Sequence, residues 1–233
     1  GYTTLIVTAD VPAAGKRDRD IRNQLAVPFR LTPGVVAGLV ANPRWSLESL
    51  IRGKPNIANY AGLLQSATSY AEVQKTLITP GFTWQDLEKL RARWKRRLLV
   101  KGILHPQDAR KCLEIGCDGL VVSNHGGRQV AFGPPTIEAL PAIAGAVGSR
   151  MAIIMDSGVR RGADMLRAKA LGADFALAGR ALAYGVGAGG MAGAERAFEI
   201  LHLELVRALG QLGVPTFEAV GPSALCDRHR RPD

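Results

Sequence analysis

Leu120-Val121-Val122-Ser123-Asn124-His125-Gly126-Gly127-Arg128-Gln129 sets the architecture that this sequence predicts. A short apolar run, the length of one buried strand, breaks into a hydroxyl, an imidazole, two glycines and a guanidinium. Histidine is the side chain best matched to proton transfer near neutral pH. The planar guanidinium fork suits a carboxylate. A base and an anion clamp three residues apart point to chemistry beside the carboxylate of a small organic acid. The competing reading is a polar strand-to-loop turn carrying a surface His and Arg.

Four further segments repeat the pattern. Thr4–Asp10, Leu98–Gly102, Met151–Gly158 and Phe175–Arg180 are each a short aliphatic run ending in polar residues. Continuous apolar runs of this length predict strands buried on both faces, as in a parallel sheet. Helical stretches separate them. Pro106 to Ile115 opens on proline and stops at Gly116, Thr136 to Val147 follows two prolines, and Arg160 to Leu171 stops at Gly172. Strand and helix alternate, which predicts βα units around a parallel sheet or barrel.

Asp10, Lys101, Ser123 with His125, Asp156 and Arg180 all fall at or just beyond the C-terminal end of a predicted strand. In a (β/α)8 barrel those ends converge on one face, which carries the active site, often with a phosphate after strands seven and eight. Asp156-Ser157-Gly158-Val159-Arg160-Arg161-Gly162 and Ala178-Gly179-Arg180 each offer glycine backbone and a guanidinium at a helix start, where free N–H groups attract an anion. A phosphate is the expected guest, and a solvated helix-start charge is the alternative for either arginine alone.

Taken together these motifs resemble the FMN-dependent α-hydroxy-acid-oxidising family, from Gly1 to about residue 225. The resemblance rests on Val7-Thr8-Ala9-Asp10, Lys16-Arg17-Asp18-Arg19-Asp20, Val100-Lys101-Gly102, the run from Ser123 to Gln129, Asp156 to Gly162, and Gly179-Arg180, in the family's order. Within it, Asn42–Leu47, Gly53–Asn59 and Arg180–Gly185 are most similar to the mandelate dehydrogenase branch. The resemblance implies an α/β fold, a (β/α)8 TIM barrel of which this chain holds about strands 4 to 8. It implies one FMN-binding domain over 1–233, the C-terminal part of a longer enzyme, with a long insertion at about 24–84.

The implied reaction is oxidation of an (S)-2-hydroxy acid, of the mandelate, lactate or glycolate type, to the 2-keto acid. His125 is the implied base and Asp10 the partner that holds its far ring nitrogen. Arg17 and Arg128, with His125, are the implied substrate-binding residues. FMN is the implied cofactor, with Lys101 at the pyrimidine edge of the flavin and Thr8 and Ser123 touching the ring. Its phosphate end meets Asp156, Ser157, Gly158, Val159, Arg160, Gly179 and Arg180. A homo-tetramer is the implied assembly. One departure stands out: the family has Leu-Asp after the glutamine, and this chain has Val130-Ala131, which bears on substrate preference. The alternatives are an inactive fragment or pseudoenzyme, or another phosphate- or flavin-binding barrel such as an isomerase. The second has no reason to carry Asn124 to Arg128.

Composition excludes several other classes. A chain of 233 residues, 47% hydrophobic with 27 glycines, is ordinary for one α/β domain. No apolar run reaches the roughly 18 residues of a membrane span. The net charge of +10 is spread over separate clusters without an RNA-binding aromatic motif, so nucleic acid is not an expected partner. Cys112, Cys117 and Cys226 form no metal-ligand spacing; Cys112 and Cys117 fall around a predicted helix end and read as small buried thiols, which makes a reducing cytoplasm the expectation. The insertion mixes apolar turns with Arg30, Arg44, Arg52 and Lys54, which suits either docking on the inner face of the cytoplasmic membrane or a lid or subunit contact. Gly185-Val186-Gly187-Ala188-Gly189-Gly190 mimics a dinucleotide fingerprint, with Glu204 near the spacing of a ribose acid. It does not directly follow a strand, so a nicotinamide site is set aside.

Overall fold

In the computed structural model the described residues are 1–13, 22, 31–53, 81–130 and 132–226. They fall in two compact units, one of residues 1–15 with 81–233 and one of residues 16–80. The first holds strands β1 (Thr4–Thr8), β2 (Arg97–Ile103), β3 (Gly119–Val122), β4 (Ala152–Met155) and β5 (Phe175–Ala176). All neighbouring pairs are parallel, and the order across the sheet is the order in the chain. A doubly wound nucleotide-binding sheet reverses its strand order part-way along the chain. Strictly sequential parallel strands wind one way only, so this is an arc of a (β/α)8 barrel.

Among the described residues, the helices of the second unit are α1 (Pro33–Ala41) and α2 (Pro43–Arg52); those of the first are α3 (Trp84–Arg93), α4 (Pro106–Ile115), α5 (Thr136–Val147), α6 (Gly162–Ala170) and α7 (Arg180–Leu212). α3 begins with a reciprocal cap in which Thr83 Oγ1 accepts the Asp86 N–H and the Asp86 carboxylate accepts that of Thr83. α4 starts on Pro106 and ends where Gly116 turns left-handed. There Cys117 N–H donates to the Cys112 carbonyl at 3.0 Å and Gly116 N–H to that of Leu113 at 3.0 Å. This closure brings the buried Cys112 and Cys117 together as the apolar contact that seals a helix end. α6 starts two residues later than the sequence predicts, because the Asp164 carboxylate accepts the Arg160 and Arg161 N–H groups and holds them outside the helix. The glycine run 185–190 lies inside α7. A Cβ on Gly185 would stand 2.3 Å from the Gly193 carbonyl oxygen, and Gly189 and Gly190 leave helical geometry between them. Those glycines serve a close backbone crossing, not a nucleotide.

Alternation along the strands sends Leu98, Val100, Leu120, Val122, Ile153 and Met155 toward the helices, where they meet Leu140, Ile143, Val147 and Ala168. Burial of each fully enclosed Leu or Ile here contributes about 1.5–3 kcal/mol. The opposite face is covered only in the middle. Val121 is fully buried, whereas Ile6 is 47% and Phe175 63% exposed. The expectation of strands buried on both faces therefore holds at the centre and fails at β1 and β5, which have a neighbour on one side only.

The same device fastens two of these units at the N-terminal ends of the strands. In Gly116-Cys117-Asp118, Asp118 Oδ2 accepts the Leu98 N–H and an Arg91 N–H, both at 2.8 Å. In Gly172-Ala173-Asp174, Asp174 Oδ2 accepts the Ile153 N–H at 2.8 Å. Each carboxylate satisfies an amide that would otherwise be orphaned where a strand begins.

Candidate active site

The opposite ends of the strands carry the polar residues. β1 delivers Asp10 and β2 delivers Lys101. The β3 exit carries Ser123 and His125, and the β4 exit carries Asp156 and Ser157. β5 leads to Gly179 and Arg180 at the start of α7. Asp10 Oδ1 lies 3.0 Å from His125 Nδ1. Lys101 Nζ donates to Ser123 Oγ at 2.9 Å and stands 3.4 Å from Asp10 Oδ2, 3.4 Å from His125 Nδ1 and 3.7 Å from Asp156 Oδ2. The lysine charge is thus set between two carboxylates.

This network assigns the histidine tautomer. Asp10 and Lys101 both face Nδ1, and only a proton on Nδ1 satisfies the shorter contact, to the carboxylate. Nε2 then carries the free lone pair. His125 also accepts an unusual backbone: its φ is +56°, and Gly126 and Gly127 follow at +71°. Together these three residues turn the loop back toward the cleft. Ser123, fully buried, accepts the His125 N–H on the same Oγ that takes Lys101.

Asp10 can come this close because of Gly102. The β2–β3 register slips between Lys101 and Ile103, and Gly102 has φ +103°. A Cβ there would lie 2.5 Å from Asp10 Cβ and 2.9 Å from Asp10 N. A glycine inside a strand signals such an approach in sequence, and this one was readable only as part of a motif.

Lys101, His125, Arg128, Arg160, Gly179 and Arg180 line a cleft of about 290 Å³. A larger hollow, about 430 Å³, is lined by Asn124, Thr136 and Arg167 and shares Gly126, Ser157, Gly158 and Arg180 with that cleft. It contains neither His125 nor Lys101, so the chemistry belongs with the smaller cleft. Gly158 has φ +94°, and a Cβ on Gly158 or Gly179 would enter open space. That leaves room for a ligand against backbone at a helix start, with two guanidiniums beside it. An elongated molecule with a phosphate at one end and an electron-accepting ring near Lys101 fits this donor set, and FMN is such a molecule. Val159 is buried, so it faces the cleft with backbone only. Thr8 pairs in register with Lys101 at the exposed end of β1. Arg17 and Ala131 lie outside the described residues.

Three partnerships were not visible in sequence. Arg161 is engaged away from the cleft: its guanidinium donates to Glu204 at 3.1 and 2.7 Å, and Glu204 also accepts the Gly162 N–H at 2.9 Å. This pair holds the Glu204 carboxyl below, and the Arg161 guanidinium above, their ordinary ranges. Arg180 Nη2 donates to the Gly126 carbonyl at 2.8 Å. Ser157, at φ +70°, accepts the N–H groups of Asn124 and Gly126.

A singly wound parallel arc with a carboxylate-held imidazole and glycine–arginine turns at the same strand ends is the layout of part of a (β/α)8 barrel with its site at the C-terminal strand ends. The comparisons agree. The model of the FMN-dependent dehydrogenase family matches residues 1–227. The chain is 38% identical to (S)-mandelate dehydrogenase of Pseudomonas putida over 229 residues, 97% of this chain and 57% of that protein. It is 39% identical to L-lactate dehydrogenase of Pseudomonas syringae pv. syringae (strain B728a), over 97% of this chain and 60% of that one. A crystal structure of the monotopic membrane protein (S)-mandelate dehydrogenase superposes with a TM-score of 0.90 at 36% identity, covering 96% of this chain and 60% of the other. The chain belongs to the FMN-dependent dehydrogenase family, and it spans rather more than half the length of these relatives.

Proposed function

We propose that the protein carrying this chain oxidises an (S)-2-hydroxy acid, of the mandelate, lactate or glycolate type, to its 2-keto acid. The observation that carries the reading is the Asp10–His125 contact at 3.0 Å, beside Lys101, at the cleft that Arg128 also lines. His125 Nε2 accepts the proton that the substrate releases as its α-carbon is oxidised. Asp10 keeps the proton on Nδ1 and stabilises the imidazolium that results. Arg128, with Arg17, grips the substrate carboxylate and fixes which face of the α-carbon meets the ring. FMN, when bound, supplies the two-electron acceptor. Lys101 and Ser123, with Thr8, hold its ring, the lysine charge favouring the added electrons. Gly158, Arg160, Gly179 and Arg180, with the backbone of Asp156, Ser157 and Val159, would surround its phosphate end.

The test is anaerobic mixing of the full-length, FMN-loaded protein with (S)-mandelate, L-lactate and glycolate. At least one should bleach the yellow absorbance, and the (R)-enantiomer should not. A preparation that binds no flavin, or bound flavin that no 2-hydroxy acid reduces, overturns the proposal.

The same reading places the enzyme at the inner face of the cytoplasmic membrane, as a homo-tetramer with peripheral contact through the second unit. α1 and α2 form a hairpin in which Ser46 Oγ bonds the Leu39 carbonyl at 2.7 Å. It leaves Trp45 60%, Leu50 81% and Ile51 75% exposed beside Arg44 and Arg52. Apolar side chains rimmed by guanidiniums suit an anionic lipid surface. No helix among the described residues is long and apolar enough to cross a membrane. Leu50→Ser with Ile51→Ser should weaken sedimentation with phosphatidylglycerol vesicles by roughly tenfold or more, given about 1.5–3 kcal/mol per buried side chain. Unchanged sedimentation counts against membrane docking through this hairpin.

A further inference from the structure

We infer that Ser157 is a positioning residue for the base-bearing loop, a role that rests on the functional reading above but differs from contact with the phosphate. Ser157 and His125 are the two non-glycine residues with positive φ among those described. A serine in the left-handed region is strained where a glycine would not be, and such strain persists only where the surroundings impose it. Here the surroundings are three hydrogen bonds. Ser157 Oγ donates to Asp156 Oδ1 at 2.6 Å and accepts the Asn124 and Gly126 N–H groups at 3.3 and 2.9 Å. With one proton to give and two lone pairs to fill, the hydroxyl is fully used and has nothing left for a phosphate.

The two amides it takes flank His125. Arg180, from the other anion-binding turn, holds the Gly126 carbonyl at 2.8 Å. The loop that presents the imidazole is therefore grasped from both turns assigned to the phosphate end. Asp156 completes the link, since its second oxygen faces Lys101 at 3.7 Å. Ser157 joins the cofactor-anchoring turn to the base through backbone rather than by touching either reactant.

Ser157→Ala and Ser157→Gly in the full-length, FMN-loaded protein test this. Ala keeps the strain and loses the hydroxyl; Gly loses both, which separates folding from positioning. Amide hydrogen exchange at Asn124 and Gly126 should accelerate in both variants, by about tenfold or more. Flavin reduction should slow by a similar factor with little change in KM, and FMN affinity, read from flavin fluorescence, should stay within about threefold. A phosphate ligand behaves oppositely: FMN affinity falls tenfold or more while exchange at 124 and 126 stays put, and that result overturns the inference. Unchanged exchange in Ser157→Gly overturns it as well. The exchange readout needs no substrate, so it stands or falls apart from the proposed reaction.

Discussion

His125→Asn should leave the full-length protein yellow and slow its reduction by 2-hydroxy acids by roughly 10²–10⁴-fold, the contribution expected of a positioned general base. Asparagine places an amide N–H where Nδ1 stood, within reach of Asp10, and tolerates the positive φ of +56°, so the loop need not rearrange. What it lacks is a lone pair basic enough to take the proton at the Nε2 position. Only one ring nitrogen is committed to Asp10, which is why the loss is chemical and not architectural. Thermal unfolding should change little, because the ring is partly exposed and outside the apolar core. Rapid anaerobic mixing reads the rate directly. Reduction at the wild-type rate would remove His125 from the mechanism.

Gly102→Ala should cut the rate of flavin reduction by about 10²-fold while leaving FMN bound. A methyl group at 102 would stand 2.5 Å from Asp10 Cβ, inside any allowed contact, and both partners are backbone-anchored. Asp10 must withdraw, and His125 then loses the acceptor that fixes its tautomer. The left-handed backbone adds about 1–3 kcal/mol of strain of its own. Gly116→Ala isolates that second part, since Gly116 also has positive φ, +83°, but an added Cβ meets open space. The control should lower Tm and leave reduction intact. If both variants reduce at the wild-type rate, the bulge does not position Asp10.

Much of the fold was written in the apolar runs. Leu98–Gly102 and the segments beginning near Gly119, Met151 and Asp174 became β2 to β5 within a residue or two, because polar residues follow each run and, for β3 to β5, a helix that stops near a glycine precedes it. α6 slipped to Gly162 because Arg161 is an extended N-cap whose N–H, with that of Arg160, the Asp164 carboxylate accepts, and periodicity does not register such a cap. In the site, strand ends told which residues converge: Asp10, Lys101, Ser123 and His125 lie within hydrogen-bonding reach of one another. The strand ends did not tell where long side chains point. Arg160 and Arg161 are neighbours with the same chemistry, yet Arg161 turns to Glu204, 43 positions away in sequence, and Arg160 lines the cleft. Arg180 likewise grips a carbonyl of another loop, a preference set by tertiary geometry alone.

The Asp118 and Asp174 fastenings sit at the strand starts, a full sheet's height from the imidazole. Rigidity and reactivity therefore occupy separate addresses in this molecule. On the proposed reading, the loop that follows the base, where Val130 is exposed, should tolerate exchange without loosening either carboxylate clasp. Engineering of specificity has an obvious place to begin.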